Sequence, residues 1–153
     1  MDEKKAFYVS VTGIVMSQGR YLIVKRSDKE KAFPGKWTVP GGKVERADYH
    51  SKVPNAGGLW YEVLEAALRR ELKEEVGLSV KRTGYVTSMA FERPDKAHGV
   101  IVSFWCEGHE GEIRLCDALT TFRWVDLEEA KGFDLIEGIY DELVMVDKLS
   151  KHF

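Results

Sequence analysis

The chain has 153 residues and a formal net charge of −2, with 44% hydrophobic and 31% charged residues. This composition is typical of one globular domain, and it lacks the basic excess that attracts duplex nucleic acid. No apolar run is long enough to span a membrane, and the N-terminus has no secretory signal. Cys106 and Cys116 could form one disulfide, but two cysteines without a signal sequence are usually reduced, so we expect a cytoplasmic protein.

The first third of the chain predicts short strands. Stretches rich in β-branched and aromatic residues, typical of strands, occupy 6–16, 20–26 and 37–42. The first two are close enough to form a hairpin, and the third ends at Pro40-Gly41-Gly42. Polar loops follow at 27–36 and 43–59, and the second loop is long enough to suggest a functional role.

A helix is predicted over 60–76, and Gly77 is its stop signal. Its apolar stripe repeats every four residues: Leu64, Leu68, Leu72 and Val76. Further strands are predicted after the helix, at 78–91, 99–107, 112–116 and 122–126. A short helix at 127–132 and an amphipathic helix at 135–149 close the chain. Strands around a central helix, with another helix at the end, predict an α/β or α+β fold with a mixed sheet.

Three glutamates lie in the last two turns of the 60–76 helix: Glu71, Glu74 and Glu75, which we call the glutamate patch. Carboxylates repel one another at these spacings and are unfavourable at the negative end of a helix dipole. Glu75 projects inside the apolar stripe and Glu71 about 40° from Glu75, so at least two of the side chains border the core. The alternative is a solvated acidic helix end. A divalent cation would offset the repulsion, the dipole and the desolvation, and oxygen ligands suit Mg²⁺ or Mn²⁺.

Two neighbouring features complete a candidate site. Gly41 and Gly42 allow the backbone to approach a ligand closely. Arg70, next to Glu71, carries a planar guanidinium that can hold a carboxylate in place. Magnesium held by carboxylates, with water in its open positions, is the usual arrangement for phosphate substrates.

The stretch from Glu62 to Leu78 resembles the second half of the Nudix hydrolase box, G-x5-E-x7-R-E-U-x-E-E-x-G-U, in which U is apolar. The positions from Arg70 to Leu78 all fit this pattern. Upstream, 34–45 is similar to the stretch that precedes the box in MutT-type members, and 122–130 resembles a late strand and turn of the family. The resemblance implies an α/β/α sandwich of the Nudix type, with a mixed sheet between helices, in one domain over 1–153.

The sequence departs from the family pattern at one place. Glu45 and Glu62 are separated by many more residues than usual, and the spacing counted back from Glu62 reaches Ala56 instead of glycine. We therefore expect an insertion at about 46–59, between the glycine loop and the helix, that could cover or reshape the substrate pocket.

The resemblance implies a role for each matching residue. The glutamate patch and Arg70 are the catalytic residues, and the patch binds Mg²⁺ or Mn²⁺ together with the Gly41 carbonyl. Arg70 orients Glu71 and is a candidate partner of Glu62. The general base stays open between a patch carboxylate and a loop carboxylate. The substrate-binding candidates are Arg26, Gly42, Lys43, Glu45 and Asp117.

The reaction implied is metal-dependent hydrolysis of a nucleoside diphosphate linked to another moiety, with water attacking phosphorus. A nucleoside triphosphate is favoured by the MutT-like stretch, whereas Pro94 resembles the ADP-ribose pyrophosphatase group and keeps ADP-ribose or another nucleotide sugar as an alternative. A nucleotide-sensing domain without catalysis and a partner-binding module are further alternatives. The expected partner is a small nucleotide, with no duplex nucleic acid and no membrane, and a homodimer is a candidate assembly because relatives are often dimers.

Overall fold

The computed structural model describes residues 1–153 and contains seven strands and three α-helices. The strands are β1 Tyr8–Ser17, β2 Arg20–Arg26, β3 Trp37–Thr38, β4 Gly41–Lys43, β5 Arg82–Glu92, β6 His98–Glu107 and β7 Leu119–Val125. The helices are α1 Val63–Val76, α2 Leu127–Ala130 and α3 Ile139–Ser150. Two short 3₁₀ turns cover Glu3–Lys5 and Arg46–Asp48.

The strands form a mixed sheet, as predicted. Its order is β3-β2-β1-β6-β5, while β4 pairs with β1 and β7 pairs with β2. Strands β1 and β6 run parallel, and the other pairs are antiparallel. None of the helices has the length and apolar character that a membrane span requires.

Helices cover both faces of the sheet, because alternate residues of a strand point to opposite sides. Val11 and Val15 of β1 belong to a core with Leu68 and Leu72 of α1. Ile14, on the opposite face of β1, belongs to a second core with Leu143 and Val146 of α3. The predicted sandwich, with a sheet between helices, is therefore confirmed.

Several predicted boundaries shift by a few residues. The helix predicted from residue 60 begins at Val63, the strand predicted from 78 begins at Arg82, and the last helix begins at Ile139. The strand predicted at 37–42 is two strands, because Pro40 has no N–H to donate to a neighbouring strand.

The prediction of a strand at 112–116 is wrong. This segment bonds to the end of α1 instead of a strand: the Arg114 N–H donates to the Val76 carbonyl at 2.9 Å, and the Cys116 N–H to the Glu75 carbonyl at 3.0 Å. The last carbonyls of a helix have no partner within the helix, so the segment satisfies acceptors at the helix end.

Candidate active site

The double glycine brings strand β4 against α1. Gly42 lies opposite Val11 of β1, and Gly41 lies opposite Thr12. A Cβ atom on Gly42 would lie 2.3 Å from the carboxyl carbon of Glu71, and one on Gly41 would lie 2.3 Å from the Val11 carbonyl oxygen. Gly42 is therefore required for the close approach of β4 to the glutamate patch, and Gly41 for its close approach to β1.

Glu75 is held at the edge of the core by the same strand. Its Oε1 accepts a hydrogen bond of 2.7 Å from the Gly41 N–H. Burial raises the pKa of Glu75 to about 7, the Gly41 hydrogen bond and the Arg26 charge oppose this rise, and the charges of Glu71 and Glu74 add to it. Burial therefore disfavours the charged form of Glu75, a penalty that a bound cation would offset.

The other two patch glutamates differ in their exposure. Glu71 is 9% exposed, and burial raises its pKa, although Arg70 opposes the rise. The Glu74 side chain is 61% exposed. The prediction that at least two patch carboxylates border the core is confirmed by Glu71 and Glu75.

Arg70 connects the patch to the glycine strand. Its Nη1 donates to Glu71 Oε1 at 2.7 Å and to Glu74 Oε2 at 3.1 Å. Its Nη2 donates to the Lys43 carbonyl at 2.9 Å. One guanidinium therefore fixes two patch carboxylates relative to β4, as its planar fork allows.

Asp48 is a site residue that the sequence reading missed. Its side chain is 1% exposed and accepts hydrogen bonds from Nε and Nη2 of Arg70 and, at 2.7 Å, from the Glu45 N–H. Burial alone would raise the pKa of Asp48, but these hydrogen bonds outweigh it and hold the pKa below its ordinary value. The signal was present in the box pattern, because the G-x5-E spacing counted forward from Gly42 ends at Asp48.

The predicted pairing of Arg70 with Glu62 is wrong. Glu62 is exposed, and the ion pairs of Arg70 are with Asp48, Glu71 and Glu74. Glu62 immediately precedes α1 with a left-handed backbone, and the Nε and Nη2 groups of Arg70 are occupied by Asp48 instead.

The remaining predicted site residues differ in their contacts with the patch. The positive charge of Arg26 lowers the pKa of Glu75, and its Nε donates to the Ala32 carbonyl at 2.8 Å. Glu45 is exposed, and its charge raises the pKa of Glu71. Lys43 Nζ lies over the Tyr8 ring, 5.1 Å from its centroid, so only its backbone contacts Arg70. Asp117 is exposed in the loop before β7.

The donor set of the patch fits a hard divalent cation. It consists of carboxylate oxygens, and burial raises the pKa of two of the groups, a penalty that a cation would relieve. In this conformation no three acidic, histidine or cysteine side chains converge on one point. The reason is that Glu71 and Glu74 are turned towards Arg70, and Glu75 towards the Gly41 N–H. Side-chain rotation would be needed to form the complete ligand set.

Residues 5–144 match the family model of the NUDIX domain. The chain belongs to the Nudix family. The predicted family and the predicted enzyme class, a Nudix hydrolase, are thereby confirmed. Among curated proteins, the Nudix chain is 26% identical over 136 residues to the nucleoside triphosphatase NudI of Escherichia coli, covering 82% of this chain and 86% of NudI.

Solved structures of Nudix proteins share the fold. A MutT NUDIX hydrolase from Burkholderia pseudomallei superposes with a TM-score of 0.73 at 24% identity, covering 93% of this chain and 99% of that one. The NUDIX domain of Shewanella oneidensis NrtR, in complex with ADP ribose, superposes with a TM-score of 0.73 at 18% identity, covering 97% of this chain and 92% of that one. These likenesses establish the architecture of the Nudix chain.

Proposed function

We propose that this Nudix protein hydrolyses a nucleoside diphosphate linked to another moiety, that a nucleoside triphosphate is its preferred substrate, and that it requires Mg²⁺ or Mn²⁺. The observation that carries this proposal is the placement of the buried Glu71 and the half-buried Glu75 against the Gly41-Gly42 backbone. The patch glutamates and Asp48 outnumber the nearby guanidinium groups of Arg70 and Arg26, and this excess negative charge favours a cation over a structural role. Similarity to NudI, named as a nucleoside triphosphatase, favours the triphosphate.

In this proposal each residue has a definite task. Glu71, Glu74, Glu75 and the Gly41 carbonyl would hold the metal, which when bound polarises phosphoryl oxygens and lowers the pKa of water. Arg70 fixes the orientation of Glu71 and Glu74, and Asp48 fixes Arg70. Arg26, whose charge reaches Glu75, offers a cation to a substrate phosphate. A carboxylate of the site accepts the proton of the attacking water.

ADP-ribose is the second candidate substrate. The observation that favours it is the likeness to the NrtR NUDIX domain, whose structure contains ADP ribose. Hydrolysis of ADP-ribose would use the same metal ligands, so the patch does not distinguish the two substrates. A sensing domain without catalysis is less well supported, because all three patch glutamates are present.

The test is phosphate or pyrophosphate release from the nucleoside triphosphates and from ADP-ribose, with and without Mg²⁺. Glu74→Gln should reduce turnover about a hundredfold, since it removes one ligand charge near the developing negative charge. It should leave the fold intact, because this side chain is 61% exposed. Glu65→Gln, on the same helix but outside the patch, is the matched control. Failure of the wild type to cleave any compound would refute the proposal.

We also infer that residues 49–62 form an insertion in the Nudix domain. Asp48 ends the G-x5-E spacing from Gly42 and binds Arg70, so the box pattern is complete up to Asp48 and resumes at α1. The insertion then begins after Asp48, a few residues beyond the predicted start at about 46. We use the term insertion for residues 49–62 below.

A further inference from the structure

A cavity of about 210 Å³ lies between the insertion and the first turns of α1. Its lining includes three aromatic side chains, Tyr49, Trp60 and Tyr61, two polar ones, Lys52 and Asn55, and Ala66 of α1. Asp48, the partner of Arg70, also borders it. The insertion therefore encloses an aromatic space next to the groups that orient the glutamate patch.

Hydrogen bonds and stacking within the insertion hold the cavity walls in place. The Trp60 ring packs on Tyr49 with 5.1 Å between centroids, and Trp60 Nε1 donates to the Lys52 carbonyl at 2.8 Å. The Tyr61 N–H donates to Asn55 Oδ1 at 3.0 Å. These bonds use the backbone of Lys52 and Tyr61 and the amide oxygen of Asn55. The Lys52 ammonium and the Asn55 amide nitrogen are left as hydrogen-bond donors.

The position of the cavity relative to the patch follows from the helix. Ala66, Arg70 and Glu74 are spaced four residues apart and share one face of α1. At 1.5 Å per residue, Ala66 lies about 6 Å from Arg70 and about 12 Å from Glu74 along the axis. This separation is comparable with the reach of a nucleoside diphosphate from its base to its terminal phosphate.

We propose that the insertion cavity binds the nucleobase of the substrate while the glutamate patch acts on the diphosphate. This inference rests on the proposed function and specifies the part of the substrate that the insertion recognises. The volume suits one planar ring system and is too small for a whole nucleotide. Aromatic walls stack on a base, and the Lys52 and Asn55 donors match its carbonyl oxygens and ring nitrogens.

A larger cavity, of about 520 Å³, is less suited to this role. It lies where β1 begins and where β5 turns into β6, and it includes Phe7, Tyr8 and His98. Neither cavity is lined by a patch glutamate, but the insertion cavity is bordered by Asp48, which binds Arg70, and the larger cavity contains no partner of Arg70. Two cations already lie against the Tyr8 ring: Lys43 at 5.1 Å and Arg93 at 4.9 Å from its centroid. Phe7 packs edge-to-face on His98. Both cavities therefore contain aromatic rings that pack on protein groups, and in the insertion cavity Tyr61, which is 61% exposed, has no aromatic or cation partner.

The first test measures binding without hydrolysis. Adenosine and guanosine monophosphates, which contain no diphosphate bond, are titrated while the indole N–H resonances of the four tryptophans are followed by NMR. The Trp60 resonance, assigned with Trp60→Phe, should shift saturably, while those of Trp37, Trp105 and Trp124 should stay in place. Shifts concentrated around Tyr8 and His98, or no shift at Trp60 with either nucleotide, would overturn the inference.

The second test uses kinetics with a matched pair of variants. Tyr61→Ala removes an aromatic wall of the cavity but keeps the backbone N–H that donates to Asn55. Leu59→Ala is the matched control, because the Leu59 side chain belongs to the same insertion, is 57% exposed and does not line the cavity. Tyr61→Ala should raise KM for nucleoside triphosphates about tenfold or more. The same variant should leave hydrolysis of a base-free sugar triphosphate unchanged. Leu59→Ala should leave hydrolysis of both substrates unchanged. Equal effects of the two variants would overturn the inference.

The two tests separate this inference from the proposed function. A Trp60 shift in a protein that hydrolyses nothing would refute the proposed hydrolysis and support base binding by the cavity. Hydrolysis of nucleoside triphosphates without a Trp60 shift would support the proposed function and overturn the cavity assignment.

Discussion

Gly42 controls the site through the side chain it lacks. The space that a Cβ atom would occupy is taken by the Glu71 carboxyl group, whose carbon would lie 2.3 Å from it. With its carboxyl group in this space, Glu71 accepts a hydrogen bond of 2.7 Å from Arg70. The contact between a glycine and a carboxylate therefore fixes the most buried member of the patch.

Gly42→Ala should displace Glu71 from Arg70 and reduce both stability and hydrolysis. The extra methyl group meets the carboxylate in a packed region, where overpacking costs about 1–3 kcal/mol. Urea unfolding and the hydrolysis assay measure the two effects. Gly132→Ala is the control, because its Cβ would meet its nearest atom, the Glu129 carbonyl oxygen, at an ordinary 3.4 Å. Wild-type turnover in Gly42→Ala would show that hydrolysis does not depend on the position of Glu71.

The pairing of Asp48 with Arg70 links two elements, the 3₁₀ turn at Arg46–Asp48 and helix α1. Arg70 contacts patch carboxylates on one side and Asp48 on the other. The turn therefore positions the patch without touching it, and the insertion that follows Asp48 is anchored at the same point.

Asp48→Asn should weaken this link, whereas Glu62→Gln should not. Removal of the Asp48 charge weakens the hydrogen bonds between this buried side chain and Arg70, and it should lower the free energy of unfolding by about 1–3 kcal/mol. Hydrolysis should fall as well, because Glu71 and Glu74 lose a fixed guanidinium. Glu62→Gln changes an exposed residue and should stay within about 0.5 kcal/mol of wild type. Urea unfolding of both variants decides the matter, and equal losses would contradict the assigned partner of Arg70.

Helix α1 and its patch could be predicted because their signals are local. The four-residue repeat sets the buried face, and the projection of Glu71 and Glu75 follows from it. The partner of Arg70 could not be derived in this way, since Asp48 lies in an aperiodic stretch and meets Arg70 only through the tertiary fold. The error at 112–116 has a related origin. Ile113 and Leu115 pack on the core as strand residues do, but their backbone has no neighbouring strand to pair with.

At the scale of the whole molecule, the two faces of the sheet place buried carboxylates differently. The α1 face holds Glu71 beside Arg70, whereas on the α3 face Glu142 is 5% exposed and forms no ion pair. Glu142 Oε1, Ser103 Oγ and Thr12 Oγ1 are all buried without a hydrogen-bond partner, and Thr12 and Ser103 are neighbours in the β1–β6 pairing. Burial raises the pKa of Glu142, the nearby Ser103 hydroxyl opposes this rise, and the Asp141 charge adds to it.

Glu142→Gln should therefore change how stability depends on pH. A raised pKa in the folded state means that the folded protein binds this proton more tightly than the unfolded chain does. The contribution is complete below the ordinary pKa of 4.5 and is lost as pH rises through the raised value. The variant carries no charge here, so its stability relative to wild type should increase from pH 4.5 to pH 8 in urea unfolding. Glu137→Gln, at an exposed carboxylate that does not contribute to the raised pKa of Glu142, should show no such trend. Parallel curves for Glu142→Gln and wild type would mean that Glu142 ionises in the folded protein as freely as in the unfolded chain.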